Sequence, residues 1–346
     1  MISARKESLR EALADMCHHQ QGNHGWSAFH ECLREVAASG RSAGLDRLLS
    51  ALWRRRPDIS DAHAITLLGI AVRHLVTHDG RHTEALDTEL PLARRVPALA
   101  RLLEERCDAL AHLMDRHSNS YTGARRFLLP QLVIGAFVAS RSVRRVRLLD
   151  LGTSIGLLPR QLNNEVIFSR FAGDLRWHPA APPFRRIPLE LACGVDRPPL
   201  PTLDWVRTCH GPSDYYEQRF EEVLWSLDQS KAAEQEVLLR PLDILDRAGL
   251  ADILTSLRIN VVTCNFVLYQ YGDEIKRRLV DTVMSALDAP GLMLVMEPSH
   301  ALARMGCTVQ AYLDGSTEPL HVADVSDAHF LGEVTLRAGM DVLAGP

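Results

Sequence analysis

No uninterrupted apolar run in this 346-residue chain approaches the roughly 18–20 residues that a membrane-spanning helix needs. A membrane partner is therefore not expected. Excess positive charge is also missing: 39 Lys and Arg stand against 43 Asp and Glu, a formal net charge of -4. That balance argues against a nucleic-acid partner, because binding to a phosphate backbone leans on surplus cations. The Arg-rich pieces Arg54-Arg55-Arg56 and Arg144-Arg145 are short and locally compensated, as on a solvated face. The seven cysteines include no Cys-x-x-Cys pair. An odd count without paired spacing suits reduced thiols in a cytoplasmic protein better than a disulfide frame. The stretch from Met1 to Glu7 leads into an amphipathic pattern instead of a basic segment followed by an apolar core, so no secretory leader is expected. Internal repeats and low-complexity tracts are absent as well.

What is present divides into two textures. Over residues 1–140 apolar side chains recur at helical spacing with almost no strand alternation, which predicts an all-helical N-terminal domain that could act as a lid or pair two copies into a homodimer. Ser27 is a candidate N-cap for a helix over 28–38 and Asp61 for one over 62–76; Pro97 sits near the start of a long helix reaching His117. Residues 77–91, with Asp79-Gly80, read as a loop, and 123–140 as a last apolar helix. The group Cys17-His18-His19, with His24, His30 and Cys32, mixes metal-ligand residue types but matches no common zinc spacing, so no metal is assigned.

Over residues 141–346 short apolar runs alternate with helical stretches, the signature of parallel βαβ units in an α/β fold. The runs predict strands at 146–151, 189–195, 237–240, 260–264, 292–297, 308–313 and 320–325. Helices are expected at 157–163, 213–233, 274–287 and 301–305. Proline density in 164–187 argues against a regular helix there and suggests an insertion over one rim of the sheet. The Asp314-Gly315 pair predicts a hairpin turn adding an antiparallel edge.

The strongest local signal is Arg147-Leu148-Leu149-Asp150-Leu151-Gly152-Thr153-Ser154-Ile155-Gly156, a buried strand breaking into a glycine-flanked turn before a helix. Glycines at Gly152 and Gly156 let the backbone turn tightly and approach a ligand. The pattern is one glycine short of the dinucleotide fingerprint, and Asp150 would repel a pyrophosphate. Beside the amino group of S-adenosylmethionine the same carboxylate is favourable. Asp196, at the next strand end, suits ribose hydroxyls; Asp243 suits the adenine amino group with Ile244 against the ring; Asn265 closes the fourth strand end. Thr153 and Ser154 complete the expected cofactor turn.

On these stretches the chain resembles the class I S-adenosylmethionine-dependent methyltransferases, whose Rossmann-like sheet it would carry behind the helical part. More narrowly it resembles an uncharacterised bacterial family, domain of unknown function 2332, over residues 116–130, 148–156, 194–199 and 261–271, with a late strand ending at Glu297. That family is expected to carry a Gln-Thr-Asn-Glu-like stretch before the first strand and a His at the fourth strand end. Here Asn119-Ser120-Tyr121-Thr122 and Cys264 stand in those places. The resemblance implies in-line methyl transfer to a small molecule, where positioning carries much of the catalysis. Tyr121 and Tyr269 are candidates to line the methyl-facing rim, and Glu297 or His300 to remove a substrate proton.

Two other classes fit parts of the pattern. Gly152-Thr153-Ser154-Ile155-Gly156 also spells Gly-x-Ser-x-Gly, the hydrolase nucleophile elbow, with Asp243 or Glu297 and His300, His321 or His329 to complete a triad. That fold places strands before its elbow, where this chain has helices. A non-catalytic, regulatory protein that keeps the methyltransferase fold is the other alternative.

Overall fold

The computed structural model describes residues 2–19, 26–39, 43–231, 236–299 and 306–345. Its elements are α1 (Ile2–His19), α2 (Trp26–Ala38), α3 (Ala43–Arg55), α4 (Asp61–Asp79), α5 (Leu92–Glu105), α6 (Cys107–Arg116) and α7 (Leu128–Ser140). Then come β1 (Val146–Leu151), α8 (Leu157–Gln161), α9 (Glu165–Ala172), β2 (Arg176–His178), β3 (Leu189–Asp196), α10 (Leu203–Cys209), α11 (Asp214–Lys231) and β4 (Leu238–Pro241). The chain finishes with α12 (Arg247–Ser256), β5 (Val261–Asn265), α13 (Asp273–Ala286), β6 (Leu292–Pro298), β7 (Cys307–Leu313), β8 (Leu320–Val325), β9 (Glu333–Leu336) and α14 (Ala338–Ala344). These form two compact units, residues 1–121 with 201–218 and residues 122–200 with 219–346.

The first unit is helical. Its amphipathic helices bury Leu33, Leu48, Leu67, Ile70, Leu99 and Leu110 in one core. The segment 201–218 belongs to that core through Trp205, which is 3% exposed, stacks on His117 at 4.2 Å and donates its indole N–H to the Ser118 carbonyl. Arg73 closes the other end of α10, donating to the Arg207 and Thr208 carbonyls where a helix leaves acceptors unmet.

Helix ends shift from the sequence pattern. Ser60, not Asp61, caps α4, its side chain accepting from the His63 N–H, and Ser27 lies inside α2 because that helix starts at Trp26. The long helix expected to reach His117 breaks at Arg106 into α5 and α6. Of the early Cys/His group, His30 and Cys32 are buried in α2; His24 and the side chains of His18 and His19 lie outside the described residues.

The second unit is built on a nine-stranded sheet in the order β2-β9-β8-β7-β6-β5-β1-β3-β4. Strands β4, β3, β1, β5 and β6 run parallel, while β7, β8 and β9 add antiparallel pairs. The chain winds from β1 outward through β3 to β4, then returns to the other side of β1 with β5 and β6. This is a Rossmann-like doubly wound α/β sheet, and its direction reverses between β1 and β5, the position where such folds bind ligands at the strand carboxyl ends. Asp314 and Gly315 both take positive φ (49° and 83°), and the Ser316 N–H returns to the Leu313 carbonyl at 2.9 Å, so the expected turn forms.

Some elements escape the sequence pattern. Helix α9 fits ahead of the prolines of 164–187, capped by the Asn164 side chain on the Ile167 N–H, and β2 then extends the sheet edge by pairing with β9. The insertion is thus part of the sheet, and a helix is present where none is expected. Helix α12 is likewise unexpected, and residues 300–305, with the expected short helix, lie outside the described residues. Helix α7 is apolar all round and buried from Leu128 to Phe137. The sequence pattern attaches it to the helical part, but it belongs to the second unit, which opens at Thr122. Among the described residues no helix is long and apolar enough to cross a membrane.

Arg125 anchors the entry to this unit. It donates to both Glu222 oxygens at 3.1 and 2.8 Å and to Asp174 at 2.5 Å, with its guanidinium 4.7 Å from the Phe171 ring. Its side chain is 7% exposed and that of Glu222 12%. Arg125→Met should lower unfolding stability by about 3 kcal/mol, the low end for breaking a buried pair, because Arg219 also reaches Glu222 at 3.0 Å. Urea unfolding checks this, and a loss below about 1 kcal/mol would show that the pair holds nothing together.

Candidate functional site

Asp150 occupies the central strand of the sheet, in register with Gly194 on β3 and Thr263 on β5. Side chains alternate along a strand, so Leu149 and Leu151 enter the core beneath α12 and α13 while Asp150 faces the opposite side. It is buried, and the Thr263 hydroxyl donates to its Oδ1 at 2.7 Å. Burial pushes the carboxyl up to about 7; the Thr263 and Thr153 hydroxyls pull it down, and the neighbouring Asp196 carboxylate adds a smaller upward push. Gly194 is what makes room: a Cβ there would lie 2.4 Å from the Thr153 Oγ1. The Thr153 hydroxyl is buried without a partner at hydrogen-bonding geometry.

The turn after β1 forms as the sequence predicts. Gly152 and Gly156 take positive φ, 66° and 72°, and a Cβ at Gly152 would meet Val267 Cγ2 at 2.3 Å. Ser154 also has positive φ, 55°, a conformation that L-residues other than Gly, Asn and Asp seldom hold. The Asp196 carboxylate secures it, Oδ2 accepting from the Ser154 N–H and Oδ1 from the Arg197 N–H, both at 2.7 Å. Burial raises Asp196 to about 6, the two N–H groups opposing the shift and Asp243 adding to it. Asp196 therefore braces the turn, with the remaining lone pairs of its oxygens left for a ligand.

The other strand ends differ from expectation. Asp243 accepts from the Leu245 N–H and pairs with Arg197 at 3.4 Å. Ile244 is buried in the core beneath α12. Asn265, at the end of β5, carries a buried side-chain amide of which neither Oδ1 nor Nδ2 finds a partner. The next residue, Phe266, has φ 57° and lies beneath the Arg126 guanidinium, 3.8 Å from its ring centre. A bulky residue held there is strained, a feature that gathers at ligand sites.

Glu297 is committed to backbone. Its Oε1 accepts from the Val267 and Leu268 N–H groups at 3.0 and 2.8 Å, and its Oε2 from the Tyr269 N–H at 2.7 Å. Burial raises its carboxyl to about 7 against those three N–H groups and Lys276. It organises the loop after β5, a task its place at a strand end does not announce. Tyr269 and Glu297 line a cavity of about 540 Å³ with Lys276, Gln310, Tyr312 and Glu318. Tyr121 lies in the first unit, its ring 4.4 Å from that of His210 and edge-on to Tyr216.

The hydrolase pattern keeps its strained serine, while one of its three candidate histidines stands far along the sheet. His321 is held by Asp324 at 2.7 Å on β8, four strand positions from β1, or about 19 Å at the usual inter-strand spacing. His329 follows β8, and His300 lies outside the described residues.

The sheet thus defines a Rossmann-like α/β protein with its polar groups gathered at the switch point. No protein-family model and no curated protein matches the chain. Among solved structures it is similar to the rRNA methyltransferase aviRa from Streptomyces viridochromogenes, at 12% identity and a TM-score of 0.32 over 52% of this chain and 75% of that one. It is also similar to CalS10, an amino pentose methyltransferase from Micromonospora echinaspora, at 13% identity and a TM-score of 0.27 over 56% of this chain and 64% of that one. An O-methyltransferase family protein from Burkholderia thailandensis overlaps 66% of this chain and 52% of its own, at 15% identity and a TM-score of 0.27. The fold assignment rests on the strand order itself.

The raised carboxyl of Asp150 fixes a sign. The folded protein keeps this proton up to about pH 7, whereas the unfolded chain releases it near pH 4. Between those values the unfolded state binds fewer protons, so this group's contribution to stability falls as pH rises and levels off above about 7. Asp150→Asn, which cannot ionise, should therefore gain on wild type between pH 5 and pH 8 in calorimetric melting of the ligand-free protein. A difference that does not change with pH would remove Asp150 as a buried acid.

Proposed function

We propose that the protein is an S-adenosylmethionine-dependent methyltransferase acting on a small molecule. The observation that carries this reading is the Asn265 amide, a buried donor and acceptor without protein partners beside the sheet's switch point. Buried polar atoms are normally satisfied, so such an amide is suited to a ligand that brings both a donor and an acceptor.

The surrounding residues fit the cofactor. The buried Thr153 hydroxyl lies beside the Asp150 carboxyl at the same strand end. A neighbouring cation, such as the ammonium group of the methionyl tail, would favour the ionised form of Asp150, its proton passing to solvent. Asp196 has lone pairs for ribose hydroxyls beyond those holding the turn, and Asp243 can accept from the adenine amine at the expense of its 3.4 Å pair with Arg197. When bound, the cofactor supplies an electrophilic methyl group. The protein's part is then to orient the acceptor and keep water away. The cavity beside Tyr269 is within the size range of small-molecule sites. In this reading Tyr269 faces the acceptor, and Glu297 positions Tyr269 through its backbone. We also propose kinship with domain of unknown function 2332 on the motif stretches given above.

S-adenosylhomocysteine should raise the melting temperature by mass action. In calorimetric titration, Asn265→Ala and Asp196→Ala should each weaken its binding by about 1.5–3 kcal/mol, and Ser154→Ala by less, since that side chain adds one hydroxyl to a turn dominated by backbone groups. Two outcomes sink the reading: no stabilisation at millimolar ligand, or an esterase activity lost in Ser154→Ala while neither Asp196→Ala nor Ser154→Ala alters nucleoside binding.

A further inference from the structure

We propose a divalent metal site, suited to zinc, in the helical unit on His74, His78 and Asp204. The two histidines stand four residues apart on α4, on one helix face, with ring centres 4.1 Å apart. Asp204 comes from the first turn of α10, and one ligand atom from each of the three residues lies within 4.8 Å of the others. The sequence shows the histidine pair but not its third member, which is brought in only because the buried Trp205 docks the segment 201–218 on this unit.

The hydrogen bonding points to a cation. His78 Nδ1 lies 2.9 Å from the His74 carbonyl oxygen, and a carbonyl can only accept, so Nδ1 carries the proton. The same arrangement fixes the tautomer of metal-ligating histidines. The other nitrogen, Nε2, then turns a lone pair toward the Asp204 Oδ2 at 3.2 Å. Two acceptors facing each other at that distance need a positive charge between them. A proton would serve the pair alone, whereas a metal also explains the third ligand. The separation matches the edge of a zinc tetrahedron, about 3.3 Å for bonds of about 2.0–2.1 Å. His74 Nδ1 is buried without a partner, so its ring too is incompletely satisfied in this cluster.

Two imidazoles and one carboxylate suit zinc and leave a fourth position for water. His78 and Asp204 are exposed, at 45% and 61%, so an ion can enter directly. Bound there, it clamps α10 to α4 and ties the distant 201–218 segment to the helices it packs on. This assignment does not depend on the proposed catalytic role.

The test is calorimetric titration of zinc chloride into chelator-treated full-length protein under reducing conditions. Wild type should show a saturable site of one ion per chain. His78→Ala and Asp204→Asn should each weaken it on the order of ten-fold or more, while His112→Ala, at an exposed histidine of the same unit, should leave it unchanged. Zinc should raise the melting temperature of wild type and not of Asp204→Asn, whose metal-free melting should match wild type because the side chain is exposed. Absence of a saturable site overturns the assignment, as does binding unaffected by His78→Ala and Asp204→Asn.

Discussion

A carboxyl group buried in the central strand sets the terms for the polar architecture of the sheet. Asp150 has β3 on one side and β5 on the other, so it cannot reach water by a rotamer change, and each neighbour must accommodate it. Thr263 does so with a hydroxyl, and Gly194 by having no side chain, which lets Thr153 fold over that point. Burying an unpaired charge costs far more than burying its neutral form, and the carboxyl answers by holding its proton to about pH 7. A positive charge placed beside such an acid would favour its ionised form.

The parts of this arrangement that follow from short-range chemistry were legible in the sequence. Strand β1 matches its expected residues 146–151, its four aliphatic side chains divided between two buried faces, and β8 matches its expected residues 320–325. The glycine turn and the Asp314-Gly315 reversal likewise follow from φ values that few other residues adopt. What could not be read depends on partners distant in sequence. Strands β2 and β9 have three and four residues, too few for a period to show, and exist by pairing with each other across 157 positions, as Arg176 with Glu333. The segment 201–218 carries a helical pattern of its own, but nothing in that pattern says that Trp205 completes the core of helices over 80 residues earlier.

The candidate site shows the same division. Acids and an amide at strand ends were legible as a series, since βαβ order places those ends side by side. Which of them are occupied by the protein itself was not. Asp196 and Glu297 spend their oxygens on backbone N–H groups of the turn after β1 and the loop after β5, and Asp243 spends one on Arg197. Each of these contacts is decided by loop conformation, which composition alone does not specify.

Counting satisfied and unsatisfied groups then separates scaffold from site. The two bracing carboxylates hold Ser154 and the loop that includes Phe266 in a part of the fold where both residues keep a costly positive φ. That cost must be met by contacts around them, and the backbone bonds to Asp196 and Glu297 are such contacts. Asn265 lies between these two braced segments with its amide unmatched. A polypeptide that satisfies so many backbone donors nearby has not simply run out of acceptors. The amide is instead a group that the fold around the two braces leaves without a hydrogen-bond partner from the chain itself.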